Sequence, residues 1–147
     1  MAADGAVRLV MLGPPGAGKD TQGERFSRAR RVPRIATGDI LRGAVLGGTD
    51  VGKAARVRMN AGHLVNDEVV IAIVRDRLAQ ADASRGFVLD GFPRTLAQAE
   101  TLDDLVDHRL PLVVVDIEVP ADTLIQRLSR RMICSVCGTT AATGASC

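Results

Sequence analysis

Gly13-Pro14-Pro15-Gly16-Ala17-Gly18-Lys19-Asp20-Thr21 decides how this chain is read. A short apolar run, Val7 to Leu12, leads into it, and a helical stretch, Lys19 to Arg31, leads out. Strand, glycine-rich turn and helix in that order form a phosphate cradle. Glycines let backbone N–H groups close around phosphate oxygens. The helix N-terminus adds positive potential, and the lysine supplies a point charge for β- and γ-phosphates. The pattern G-x-x-x-x-G-K-[ST] is met imperfectly, because Asp20 follows the lysine and the hydroxyl comes one later, at Thr21.

Outward from the loop, strands alternate with helices. Pro33 to Thr37 is extended, and helices follow over Asp39–Leu46 and Val51–Ala61, broken by Gly47-Gly48. Asn66-Asp67 caps a helix expected to reach Ala81. Phe87 to Asp90 is a third strand, Thr95 to Val106 a helix, Leu112 to Val119 a fourth strand, and Pro120 opens a helix to about Arg130. Alternation of this kind predicts an α/β fold, a parallel sheet with helices on both faces. Residues 38–63 hold helices and no strand, so they read as an insertion beside the sheet. Asp90, closing an apolar strand, is a cap or a holder of Mg²⁺ through its water shell; beside the phosphate loop the metal role is preferred.

Composition excludes other classes. At 147 residues, 46% hydrophobic and 24% charged, the chain suits one globular domain. A net charge of +2 leaves no electrostatic footprint for nucleic acid or an anionic membrane. Three Phe and no Trp or Tyr argue against a base-stacking surface. The N-terminus is not a secretory signal and no run approaches a bilayer span, so a cytoplasmic location is expected. Only Lys19 and Lys53 are lysines. The three cysteines sit at the end, at positions 134, 137 and 147, which suggests a local metal or redox site.

Thr37-Gly38-Asp39-Ile40-Leu41-Arg42, then Ala61-Gly62-His63-Leu64-Val65, then Asp90-Gly91-Phe92-Pro93-Arg94-Thr95 complete the pattern. With the phosphate loop, this set resembles the signature segments of adenylate kinases, in order, from about Val7 to Cys137. The resemblance implies a P-loop fold with core segments 1–36 and 66–131, a small helical AMP-binding insertion over 37–65, and a lid that starts at 132 and is incomplete. It implies phosphoryl transfer from Mg-ATP to AMP, giving two ADP, with Mg²⁺ as cofactor, ATP, AMP and ADP as partners, and a monomer when full length. By the same resemblance, Gly13, Gly16, Ala17, Gly18, Lys19, Asp20, Thr21 and Arg127 bind ATP. Thr37, Arg42, Leu64, Val65, Gly91, Arg94 and Gln98 bind AMP, and Lys19, Arg94 and Arg131 carry catalysis. Arginine forks suit phosphate because they hold it bidentately. The alternatives are a UMP or CMP kinase, or a nucleotide-binding fragment without turnover.

Departures from the family pattern are specific. Asp20 replaces the usual glycine; it repels phosphate or adds a ligand for Mg²⁺. Arg130 replaces a hinge glycine, Met132 an arginine, and His63 a common lysine. Cys134-Ser135-Val136-Cys137-Gly138 has the spacing of half a zinc site, and in many bacterial relatives the lid holds a structural zinc. Cys147 is then a third ligand; a redox pair and unligated thiols are the competing readings. The sequence stops inside the expected lid, so the chain reads as a fragment.

Overall fold

The computed structural model describes residues 7–106, 111–134 and 140–142. Strand β1 (Val7–Leu12) is followed by helix α1 (Lys19–Arg30), strand β2 (Arg34–Ala36), and helices α2 (Thr37–Leu46), α3 (Asp50–Asn60) and α4 (Asp67–Leu78). Strand β3 (Gly86–Asp90), helix α5 (Leu96–Leu105), strand β4 (Leu112–Asp116) and helix α6 (Ala121–Ser129) complete the alternation. A second, antiparallel pair, β5 (Arg131–Ile133) and β6 (Thr140–Ala142), lies where the lid was expected to begin.

The four main strands are all parallel, in the order β2-β3-β1-β4. Val10, Ile35, Phe87 and Leu89 point to one face, against Leu41 of α2, Val70 and Val74 of α4, and Leu102 of α5. Leu9, Met11 and Val88 point to the other, with Val32 and with Phe26 of α1. Helices therefore cover both faces, as the continuous apolar strands require. The side-chain period of two sorts each strand between the two clusters. Three helices start on a side-chain cap: Thr49 accepts from the Gly52 N–H, Asn66 from Glu68, and Thr95 from Gln98.

Three boundaries shift by more than one residue; helix α2 begins at Thr37, which was expected to be extended, rather than at Asp39, and two other elements end early. Helix α4 ends at Leu78 rather than Ala81, and a 3-10 turn follows over Ala81–Arg85. Arg77 holds the Asp82 carboxylate there with two bonds of 2.8 and 2.7 Å. Strand β4 ends at Asp116 rather than Val119, although the Ile117 N–H still donates to the Leu12 carbonyl at 3.0 Å. Among the described residues β4 pairs with β1 alone, and Val113, Val114 and Val115 are 47%, 55% and 39% exposed. No helix among the described residues is long and apolar enough to cross a membrane.

The α2–α3 hairpin depends on one close approach. A Cβ on Gly52 would lie 2.0 Å from the Ala44 carbonyl oxygen, so α3 reaches α2 only because that position lacks a side chain. Helix propensity alone would favour alanine there by about 1 kcal/mol. We expect the opposite sign: Gly52→Ala should destabilise the chain by about 1–3 kcal/mol through overpacking. Urea unfolding followed by far-UV circular dichroism measures it, since the chain has no Trp or Tyr to report by fluorescence.

Candidate active site

The cleft lies beyond the carboxyl ends of the parallel strands, where open α/β sheets bind ligands. Parallel register sets Met11 beside Asp90 and Ala36 beside Asp90, so the loop after β1 and the segment after β3 emerge together. Gly18 is the N-cap of α1 with φ 99°, a left-handed conformation that a glycine takes without strain. The Lys19 ammonium folds back over the loop and donates to the Gly13 and Pro14 carbonyls at 2.8 and 3.0 Å. Its charge is thereby held at the loop mouth, above a helix N-terminus.

A cavity of about 960 Å³ spreads from this loop. Gly16, Gly18, Lys19, Asp20 and Thr21 line one side, and Arg42, Gly91 and Arg94 the other, with Arg127 and Arg131 brought over by α6 and β5. Arg127 donates to the Gly16 carbonyl at 3.1 Å, tying α6 to the loop. Five expected cations, Lys19, Arg42, Arg94, Arg127 and Arg131, thus face one space. A smaller cavity of about 150 Å³ adjoins it, sharing Gly38, Arg42, Gly91 and Arg94, and is lined further by Thr37, Leu64, Val65 and Gln98. Every expected AMP-side residue lines this second cavity. Of the loop residues expected to bind ATP, Gly13 and Ala17 are not among those that line the cavity.

The polar groups of the small cavity are already ordered. Thr37 Oγ1 donates to the Gly91 carbonyl at 3.0 Å, and Arg94 Nε donates to the same oxygen at 2.9 Å. Arg42 pairs with Asp39 on the same helix. Gln98, 2% exposed, accepts from the Arg94 N–H at 2.8 Å and donates to Asp67 at 2.7 Å.

Sequence reasoning missed Arg34. Its Nη2 bridges Asp20 at 2.5 Å and Asp90 at 2.7 Å, and its Nη1 reaches Asp39 at 3.4 Å. Burial works against the Arg34 charge, but the hydrogen bond to Asp90 and the three carboxylates together hold its pKa above the ordinary value. Burial pushes the Asp90 carboxyl upward; Arg34 pulls it back, and the Asp20 carboxylate pushes it up again. Asp20, the departure in the phosphate loop, is therefore neutralised in the structure by a cation from β2. Arg130 also lines the cleft. Asp90 and Asp20 offer the carboxylate oxygens that a hydrated divalent cation takes, and both are paired with Arg34. Among the described residues no group of three or more His, Cys, Asp or Glu gathers to hold a metal. Cys134 is half-buried, and Cys137 and Cys147 lie outside the described residues.

The sequence pattern that defines adenylate kinases matches residues 11–141 of this chain. The chain is 50% identical over 136 residues to the adenylate kinase of Moorella thermoacetica, covering 91% of this chain and 63% of that protein. It is 49% identical over 134 residues to that of Archaeoglobus fulgidus, covering 90% and 62%. Against that of Streptomyces griseus it is 50% identical over 130 residues, covering 87% and 59%. The chain thus spans about three fifths of the length of the curated relatives it matches.

Arg34→Gln leaves the Asp20 and Asp90 carboxylates facing each other without their cation. We expect a loss of roughly 1–3 kcal/mol at neutral pH, partly recovered by adding Asp20→Asn. The sign with pH follows from Asp90, whose folded pKa is raised. Its ionisation costs stability as pH rises from the ordinary aspartate value through the raised one, and without Arg34 that cost grows. Thermal unfolding of wild type and variant should therefore converge toward pH 3, below the raised Asp90 value, and diverge toward pH 7.

Proposed function

This chain belongs to the adenylate kinase family, and from that premise we propose that the protein transfers the γ-phosphoryl group of Mg-ATP to AMP, giving two ADP. The single observation that carries the proposal is the gathering of Lys19, Arg42, Arg94, Arg127 and Arg131 around one cleft whose side pocket is built for a base. Two phosphate groups that approach each other carry like charges. Phosphoryl transfer needs that charge cancelled and the donor and acceptor held in line, and little else.

In this reading the donor's phosphates lie on the Gly13–Thr21 loop, with Lys19 leaving the Gly13 and Pro14 carbonyls for phosphate oxygens. Arg42 and Arg94 hold the acceptor's phosphate at the junction of the two cavities. An AMP phosphate oxygen attacks the γ-phosphorus, the bond from that phosphorus to the β–γ bridging oxygen breaks, and ADP leaves as the second ADP forms. Arg127 and Arg131 spread the charge that develops between them. Magnesium, when bound, shields the donor phosphates; Asp90, with Asp20 beside it, would hold it through water. A structural zinc on Cys134 and Cys137 has only the C-x-x-C-G spacing behind it, and no part of the transfer depends on it. The same family reading makes the whole protein a cytoplasmic monomer; among the described residues no helix is long and apolar enough to cross a membrane.

Adenine suits the side pocket. The Thr37 hydroxyl has its proton engaged by the Gly91 carbonyl, so toward a ligand it accepts. The exocyclic amine of adenine donates, whereas uracil and guanine present a carbonyl at the corresponding edge. ADP formation from ATP with AMP, UMP and CMP in turn tests the proposal: turnover with AMP and none with UMP is expected, and CMP, whose base also carries an amine, should turn over less than AMP because its single ring fills less of the pocket. Arg94→Ala should raise the KM for AMP about 10- to 100-fold, the worth of a charge-assisted fork, while the Kd for ATP stays unchanged. An equal fall in ATP affinity would remove Arg94 from the acceptor site.

A further inference from the structure

We propose that Asp67 is the positioning residue that sets base selectivity, by fixing which way the Gln98 amide faces. The inference rests on the reading of the small cavity as the acceptor's base pocket. It starts from an asymmetry in hydrogen-bonding chemistry. A glutamine amide has two ends of similar shape, one donating and one accepting, and flipping it exchanges the two. Gln98 lines the cavity and is all but buried, so the end it turns toward a base is decided by its other neighbours.

Two neighbours decide it, and they agree. An ionised carboxylate only accepts, so Asp67 Oδ1, 2.7 Å away, takes the Nε2 end. A backbone N–H only donates, so Arg94 N, 2.8 Å away, takes the Oε1 end. The reversed amide would set N–H against N–H at one side and lone pair against carboxylate at the other. The carboxylate is itself immobilised, because Asp67 Oδ2 accepts from Thr95 Oγ1 at 2.7 Å. Thr95 in turn caps α5 by accepting from the Gln98 N–H. Asp67, first residue of α4, thus pins the first turn of α5 and the amide it carries.

What remains free on Gln98 is one N–H and one lone pair, in a fixed order. That is the pair which reads adenine, by accepting from its exocyclic amine and donating to the adjacent ring nitrogen. Guanine presents the opposite order, a carbonyl where adenine has the amine. An amide free to flip would accommodate both. Asp67 therefore excludes guanine without touching the base, and it touches no reacting atom.

Calorimetric titration of the 147-residue chain with AMP, GMP and ATP tests this, on wild type, Asp67→Ala, Asp67→Asn, Gln98→Ala and Asp67→Ala with Gln98→Ala. Wild type should prefer AMP to GMP. Asp67→Ala should narrow that preference roughly tenfold, the worth of one charge-assisted hydrogen bond, with ATP affinity unchanged. Asp67→Asn, which still offers an oxygen to the Gln98 amine, should keep most of the preference. In the Gln98→Ala background Asp67→Ala should have no further effect, since its action passes through the amide. An unchanged preference in Asp67→Ala, an equal loss for AMP, GMP and ATP, effects that add in the double variant, or a wild type blind to the base would each overturn the proposal. Should Asp67→Ala not fold, wild type alone decides: a scalar coupling across the hydrogen bond should link the Arg94 amide nitrogen to the Gln98 side-chain carbonyl carbon. No such coupling, with the Gln98 Nε2 protons close to the Arg94 N–H instead, overturns it. ADP formation is read on the same samples; a chain that selects AMP and transfers nothing would sink the kinase reading and leave Asp67 in its role.

Discussion

The parallel pairing of β1 with β3 is the constraint on which the rest depends. It puts Met11 level with Asp90, so two chain segments leave the sheet at the same edge. One becomes the phosphate loop, the other Asp90 to Arg94. Neither segment makes a site alone: the first offers backbone N–H groups and an ammonium, the second a carboxylate and a guanidinium. The buried run Gly86–Asp90 secures the arrangement, because a slip of one residue would turn Val88 and Leu89 onto the wrong faces and carry Asp90 away from the cleft.

Once that edge is formed, the problem is one of charge. The cleft collects a lysine and several arginines to suit polyanions, and a chain without bound nucleotide must keep those cations apart from one another and partly satisfied. The structure does so with its own acceptors. Lys19 rests on loop carbonyls, Arg127 on the Gly16 carbonyl, Arg42 on Asp39, Arg94 on the Gly91 carbonyl, and Arg34 on Asp20 and Asp90. Most of these acceptors are neutral carbonyls or exposed carboxylates, which hold a cation weakly enough to release it to phosphate. Arg34 is the exception. It is largely buried between carboxylates, and its role is to neutralise rather than to bind incoming ligand.

The parts legible in the sequence were those in which chemistry is compressed into contiguous residues. The phosphate loop, Thr37 to Arg42 and Asp90 to Thr95 each carry glycines and charges at fixed short spacings, and each contributes residues to the lining of the two cavities. Apolar periodicity was enough for the parallel sheet and its helical faces. Arg34 and Asp67 were not legible, for the same reason. Arg34 meets Asp90 only through the register of β2 on β3, which sets residues 56 apart on one face of the sheet. Asp67 reads locally as the first residue of a capped helix, and its partners lie 28 and 31 residues onward. Local spacing finds groups that act on a ligand; it does not find the groups that hold those in place.

The one-sided pairing of β4 divides the cleft into parts of unequal local stability. Among the described residues, strand β3 has a neighbour on each side and its five residues are buried, whereas β4 pairs with β1 alone and leads into α6, none of whose residues is buried. Local opening there costs less along β4 and α6 than along β1 and β3. Lys19, Arg42 and Arg94 are mounted on or beside the costly part, Arg127 on the cheap part and Arg131 on β5, just beyond it. The cation ring is consequently half fixed and half adjustable. The fixed half can impose a position on a phosphate, and the adjustable half can follow charge as it shifts.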